Sequence, residues 1–502
     1  MKLQFEPFYQ EYLDVLAAYD LASATMYTDQ WTVAPKGGIP NSSAKMATLS
    51  KLAFKVENDP ETVEKIKAYY QTLPEGSLEQ KEVKMRLDEL ALSQNASIEE
   101  FEALTKARNE AEYQWHQAKE NSDYAAFKPY LKDLMEKSIA YQKHSPKFTG
   151  NNIYDVFLDA YEPEMNEEKY DAFFQVIKEE LPPLIQKIQK SEKKIDDQAL
   201  REEFAIERQE KFMNTIMDYL QVDPDRVSLG TTEHPFTNFL SHNDMRITTH
   251  YYPNRFLSAI LSTVHEYGHA LYGLQMNEAF EGTMLNHGVG SAAHESQSRF
   301  LENHIGRSKA FWEANYPALV EQFPEFENVS VDELVDMINL SKPDLIRTEA
   351  DELTYPLHIL IRYELEKKIA NGEMDYDTLP ELWADLYEKY LGVRPKTDAE
   401  GVLQDVHWSN GYLGYFPTYA LGSAYAAQIF AAMQKQIDVE QVLKEGKMEV
   451  ITNWLKDNVH HYAGSKTMAE IVELVSGEPF DPHYYVNYLK DKYSKLYQIQ
   501  ED

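Results

Sequence analysis

The 502-residue chain has no cysteine. That excludes disulfides, thiol nucleophiles and cysteine-ligated metal centres together, and it fits a reducing compartment. Basic residues are also scarce, with 49 Lys and Arg against 83 Asp and Glu, so the formal net charge is -34. An acidic surface of that size repels nucleic acid and anionic membrane alike, which argues against both as partners. Long apolar runs are missing too. The most apolar stretch, Tyr419 to Met433, is too short and too interrupted to span a bilayer. The first residues, Met1-Lys2-Leu3-Gln4-Phe5-Glu6, have neither a basic start nor an apolar core, so no secretory leader is expected. A cytoplasmic, soluble protein is the expectation. Glycine/serine linkers, fixed-period repeats and low-complexity tracts are absent as well. One large domain is therefore expected over 1–502, with a helical part at about 1–200 and a catalytic part at about 226–430.

Apolar residues recurring three and four apart dominate what is present. They predict helices over 5–31, 43–56, 60–72, 78–95, 98–119, 126–142, 167–195 and 203–221, and again from 291 to the end. The clearest break is Pro35-Lys36-Gly37-Gly38-Ile39-Pro40, after which Ser42 and Ser43 read as helix caps. A different pattern occupies 226–252, where Asp244 to Tyr251 alternates with period two as a half-exposed strand does. Pro253-Asn254 closes it and opens a helix through Leu274. The expected fold is mainly α, with a deep groove and a small antiparallel edge sheet beside that helix. An exposed strand there would pair with an extended peptide.

This helix carries His265-Glu266-Tyr267-Gly268-His269. Residues four apart share a helical face, so both imidazoles reach one ion, while Glu266 is rotated away and suits a base acting on water. A catalytic metal needs a third protein ligand and an open position. A third histidine is excluded at the usual spacing, because Tyr272 and Gln275 stand where Gly and His would be required. A carboxylate remains. Glu295 is preferred, on a helix that Ser291 would cap, with Glu278 and Glu281 as weaker alternatives and His294 as a neighbour in the packing. Zn2+ is the expected ion, with another divalent metal such as Co2+ as an alternative. A purely packed histidine pair or a structural zinc are the competing readings. The latter would close its coordination with four protein ligands and would have no use for Glu266.

Several separated segments resemble the carboxypeptidase Taq family of zinc metallopeptidases. They are His234-Pro235-Phe236, Asp244-Met245-Arg246-Ile247-Thr248, His265 to His269, His294 to Arg299, Ile346 to His358 and Gly401 to Trp408. Weaker similarity reaches Asp29-Gln30-Trp31, Pro35 to Gly38 and Tyr488-Leu489, so nearly the whole chain is covered. Thr28 and Ala34 depart from the Trp and Met that the family tends to have there. The resemblance implies a helical, cleft-containing fold, removal of C-terminal residues from peptides, and commonly a homodimer. It also implies that His265, His269 and Glu295 are the ligands and Glu266 the catalytic base.

Reading a free C-terminal carboxylate calls for an arginine fork, and Arg347 and Arg246 lie inside the family-like segments. The developing oxyanion needs a donor, for which His407, Tyr415 and Tyr419 are the candidates in a tyrosine-rich segment. Other motifs fail. Gly464-Ser465-Lys466-Thr467 lacks the Gly-Lys adjacency of a phosphate loop, no Gly-x-Ser-x-Gly occurs, and His460-His461 read as structural. Two other activities share the same residues: an oligopeptidase cutting internal bonds, and a non-catalytic peptide-binding protein with a structural metal.

Overall fold

The computed structural model describes residues 3–150 and 152–499; Met1 and Lys2, at the start of the segment read for a leader, lie outside them. The described residues form twenty α-helices and one three-stranded sheet. The first nine helices are α1 (Pro7–Thr32), α2 (Ile39–Glu57), α3 (Pro60–Tyr70), α4 (Leu78–Asn95), α5 (Ile98–Asn121), α6 (Tyr124–Gln142), α7 (Ile153–Tyr161), α8 (Glu167–Lys190) and α9 (Ile206–Tyr219). After the strands come α10 (Phe256–Gln275), α11 (Ser291–Arg299), α12 (Lys309–Gln322), α13 (Val331–Ile338), α14 (Tyr355–Ala370), α15 (Leu379–Leu391) and α16 (Phe416–Gln434). Four further helices between Val439 and Tyr497 complete the chain. No helix of the described residues is long and apolar enough to cross a membrane.

Periodicity located the N-terminal helices well, and the differences have local causes. The Pro35–Pro40 break is only a single 3-10 turn at Lys36–Gly38. Because Pro40 fits the first turn of a helix, α2 begins at Ile39 and takes Ser42 and Ser43 into its interior. Ser97 and Ser330 each make reciprocal capping boxes with a glutamate three residues on, as helix-start signals should. The helix Ile153–Tyr161 escaped the periodic reading because it is short and buries five of its nine residues.

The sheet differs from the expected antiparallel edge sheet. Its strands are β1 (Val227–Thr231), β2 (Thr237–Ser241) and β3 (Asp244–Thr249), ordered β1-β3-β2. β3 pairs parallel with β1 and antiparallel with β2. The period-two strand is thus the central one and has no free edge for a peptide; β2 holds the open edge on the cavity side. The alternation was legible because one face of β3 packs on α10. Which strand ended up outermost depended on β1 returning alongside it.

One contiguous cluster of buried hydrophobic residues extends from Leu104 to Tyr497, while Tyr9, Tyr12, Leu13, Leu16, Ile66, Tyr69 and Val83 form a smaller one among α1, α3 and α4. Within the large core α10 is sheathed on nearly all sides. It packs on β2 and β3, and on α11 with the π-helical turn Phe300–Gly306 that extends it. Two glycines set the spacing. A Cβ on Gly268 would stand 2.5 Å from the Gln297 carbonyl oxygen and 2.6 Å from Ser298 Cα, and one on Gly422 of α16 would stand 2.8 Å from Glu295 Cβ. Backbone therefore meets backbone where the metal-site helices cross. His460 ties the same pair of helices from the side, with Nδ1 2.7 Å from Gln275 Oε1 and Nε2 2.8 Å from Gln297 Oε1.

Gly268→Ala is expected to destabilise the fold by about 1–3 kcal/mol through overpacking, and to weaken metal binding with it; denaturant titration beside metal content checks this. Burial pulls the His460 imidazole down to about 3, helped by the nearby His294 and His461. Its neutral form is favoured by folding, so its contribution is complete above the unfolded value near 6.5 and is lost as pH falls towards 3, by at most about 1.4 kcal/mol per pH unit. Unfolding free energies measured from pH 7 to 4 should flatten in His460→Asn relative to the parent.

Candidate active site

Placed four apart on α10, His265 and His269 turn their rings to one point, with centroids 5.1 Å apart. Glu295 on α11 faces them: its Oε2 lies 3.7 Å from His265 Nε2 and 3.6 Å from His269 Nε2. One ligand atom from each of the three residues falls within 4.8 Å of the others. Ligand atoms about 2.1 Å from a tetrahedral ion sit roughly 3.4 Å from one another, so the set fits one divalent ion with a position left open. Glu278 and Glu281, the weaker carboxylate alternatives, are exposed and stand outside this cluster.

His265 and Glu295 are held from behind. His265 Nδ1 lies 2.9 Å from Glu302 Oε2, which fixes the tautomer and leaves Nε2 with its lone pair. Arg299 donates from Nε to Glu295 Oε1 at 2.6 Å and from Nη1 to Glu302 Oε2 at 3.0 Å. Arg307 donates to Glu302 Oε1 at 3.1 Å. Burial opposes ionisation of Glu302, but Arg299 and then His265 and Arg307 outweigh it and hold the carboxyl well below its ordinary range. Burial, then repulsion from His265, His294 and Arg299, pushes His269 far below 6.5, so it presents a neutral imidazole. Spacing did not reveal Glu302, because the π turn at Phe300–Gly306 changes the face on which residue 302 emerges.

Glu266 is 8% exposed and receives the Thr237 hydroxyl at 2.5 Å on Oε2. Burial raises its pKa above the ordinary carboxylate value, partly offset by His265 and the Thr237 hydrogen bond. Thr237 comes from the edge strand β2, and Thr248 Oγ1 accepts from Phe236 N at 2.9 Å, so the strand and the His234-Pro235-Phe236 turn are locked together. α11 starts one residue earlier than Ser291 capping would require. Gly290 takes the cap position, and the buried carboxylate of Glu162 accepts from Ala292 N at 2.9 Å.

These groups stand in a cavity of about 720 Å³, whose walls include Tyr161, Pro235, Phe236, His294, Tyr415 and Tyr419. His407 is not on that wall. Its Nε2 lies behind, 3.3 Å from the Tyr419 hydroxyl, and burial with Arg347 nearby lowers its pKa to about 4. Arg347 is also set back, 7% exposed, with Nε 3.0 Å from Asp405 and its Cζ 5.2 Å from the Tyr419 ring. Arg246 is on the wrong face of the sheet. Met245 beside it points at α10, and Arg246 projects oppositely, with its fork filled by Asp244 at 2.9 and 2.8 Å. Among the described residues lining the cavity there is no Lys or Arg.

The family model described as carboxypeptidase Taq (M32) metallopeptidase matches residues 8–493. Carboxypeptidase 1 of Bacillus subtilis (strain 168) is 37% identical over 505 residues, covering 99% of this chain and 100% of that one. Thermostable carboxypeptidase 1 of Thermus thermophilus is 35% identical, covering 99% of this chain and 98% of its own length. A solved structure of Pyrococcus furiosus carboxypeptidase superposes with a TM-score of 0.93 at 32% identity, over 98% of this chain and 100% of that one. With that match running almost end to end, and two histidines and a glutamate placed where they could hold one metal ion, the chain belongs to the carboxypeptidase Taq (M32) family and is a metallocarboxypeptidase.

Proposed function

We propose that His265, His269 and Glu295 hold a catalytic Zn2+ and that Glu266 is the general base, the whole chain acting as one catalytic unit. The supporting observation is the triangle of donor atoms at the cavity floor with Glu266 beside it but outside the ligand set. The bound ion supplies Lewis acidity to water and to the scissile carbonyl. Glu266, fixed by Thr237, takes the proton from the attacking water and returns it to the leaving amine. Tyr415 and Tyr419, both on the wall, donate to the developing oxyanion, and His407 orients the Tyr419 hydroxyl. Peptides are the substrates. A homodimer and a cytoplasmic location complete the reading; the family resemblance supports the first, and the absence of cysteine the second.

Arg347 is the proposed reader of the terminal carboxylate. It stands one side-chain layer behind Tyr419, its Cζ 5.2 Å from that ring. Arg246 is released from this role by its position on the far face of the sheet.

Glu266→Gln should keep its metal and lose hydrolysis, because a base is not needed for ligation, whereas Glu295→Ala should lose metal affinity itself. Elemental analysis beside activity separates the two; loss of metal in the Gln variant would reassign Glu266 as a ligand. Amidating the substrate's C-terminus removes a charge-assisted contact worth about 2–3 kcal/mol, so kcat/KM should fall roughly 30- to 150-fold. Arg347→Lys should shrink that discrimination. Equal cleavage of free and amidated peptides with internal fragments as products would instead make the enzyme an oligopeptidase.

A further inference from the structure

The metal-binding face of α10 continues past the histidines. His265, His269, Gly273 and Met276 follow one another at helical spacing, and all four line the cavity. The helical rise carries Gly273 about 6 Å and Met276 about 10 Å beyond His269. At that end the wall is built from thioethers and one aromatic ring: Met85 of α4, Met245 of β3, Met276, Met284 and Phe239 of β2. Gly273 lets two of these side chains close on α10, since a Cβ there would stand 2.5 Å from Met245 Cε and 2.9 Å from Phe239 Cδ2. The wall is held in place. Glu82, fully buried one turn before Met85, accepts from Met284 N at 2.6 Å and from the Tyr9 hydroxyl at 3.1 Å, so Met85 and Met284 are fastened to the same carboxylate. The acidic groups among the lining residues, Glu266 and Glu295, are both at the metal end.

This apolar end lies opposite the arginine side of the site. Arg347 donates to the Tyr355 hydroxyl, Arg299 stacks over the Tyr355 ring, and Arg299 meets Glu302, the partner of His265. The methionines lie beyond His269. A peptide whose carboxylate points to Arg347 therefore runs its upstream residues towards Gly273. An extended chain advances about 3.4 Å per residue, which puts the side chain just before the scissile bond within reach of a pocket beginning 6 Å from His269.

We propose that this end of the cavity is the subsite for the penultimate side chain of the substrate, and that it selects aliphatic and aromatic residues. The assignment rests on the carboxypeptidase reading with Arg347 at the carboxylate end. Methionines are unbranched and polarizable, so the pocket adapts to Leu, Met or Phe, while an ionised side chain would be stripped of water with no oppositely charged residue beside it and only the Asn286 amide near.

The test is a series of N-blocked tripeptides with a fixed C-terminal Ala and Leu, Phe, Ser or Asp before it, and a mirror series with the variable residue at the C-terminus. In the first series Leu and Phe should exceed Ser by roughly 10- to 100-fold in kcat/KM, with Asp lowest. Met276→Gln and Met284→Gln should each cut the Leu-to-Ser ratio several-fold, and Gly273→Ala should lower Phe more than Leu by pushing Met245 and Phe239 into the pocket. Met276→Gln and Met284→Gln both lowering all peptides alike, or a preference that follows the C-terminal residue instead, would overturn the assignment. Product analysis in the same reactions keeps the two readings apart. Internal fragments with the same upstream preference would remove the carboxypeptidase reading and leave the subsite standing, whereas released Ala with no upstream preference would do the reverse.

Discussion

A run of buried alternating charge holds the metal site together: Glu295 to Arg299, Arg299 to Glu302, and Glu302 to both His265 and Arg307. Three of these residues are on α11 and its π-helical extension, and the chain ends on α10, so the ligands from two helices are bound into one network. Buried ion pairs add little net stability, since desolvation offsets most of the attraction. Removing one member, however, leaves a bare buried charge at a cost of about 3–5 kcal/mol. The network acts mainly on geometry. It points Glu295 Oε2 and the His265 Nε2 lone pair at the same place, and it fixes which imidazole nitrogen carries the proton.

Such a network needs helices closer together than side chains usually allow. Gly268 and Gly422 provide that on either side of α11, and the small buried residues Ser296 and Ser298 return their hydroxyls to carbonyls of their own helix. Glu162 then supplies the helix start that Gly290 has no side chain to supply, from the loop after α7 whose last residues also line the cavity. The positions of the ligands are therefore set by backbone approach and helix capping as much as by their own side chains.

A second buried carboxylate pair shapes the opposite wall. Asp405 is gripped by Arg347 and Arg362, and Glu366 receives Trp408 Nε1 at 2.9 Å, the Tyr154 hydroxyl at 2.8 Å and Gly414 N at 2.8 Å. Gly414, at φ +83° and against the Phe157 backbone, makes the turn that delivers Tyr415 and Tyr419 to the cavity. The charged residues of the family-like segments around Arg347 and Asp405 thus sit behind the tyrosines of the wall.

The sequence alone determined what depends on neighbours along the chain. Helical periodicity located the N-terminal helices, and the spacing of His265, Glu266 and His269 put two imidazoles on one face with a carboxylate turned aside, because one helical turn puts residues four apart on one face. The need for a third ligand singled out Glu295 on the next helix, and a tyrosine-rich stretch offered Tyr415 and Tyr419. Tertiary structure decided what depends on distant residues meeting. Thr237, Glu302 and Glu162 hydrogen-bond to Glu266, His265 and the start of α11 with no local signal, brought in by a sheet edge, a π turn and a loop. Arg246 and His407 looked alike with Arg347 and Tyr419 in sequence, yet a strand's alternation turned the first away and a layer of aromatic rings covered the second. The order of strands was likewise beyond local pattern, since period two marks a half-buried face and carries no information about which neighbour will pair on either side.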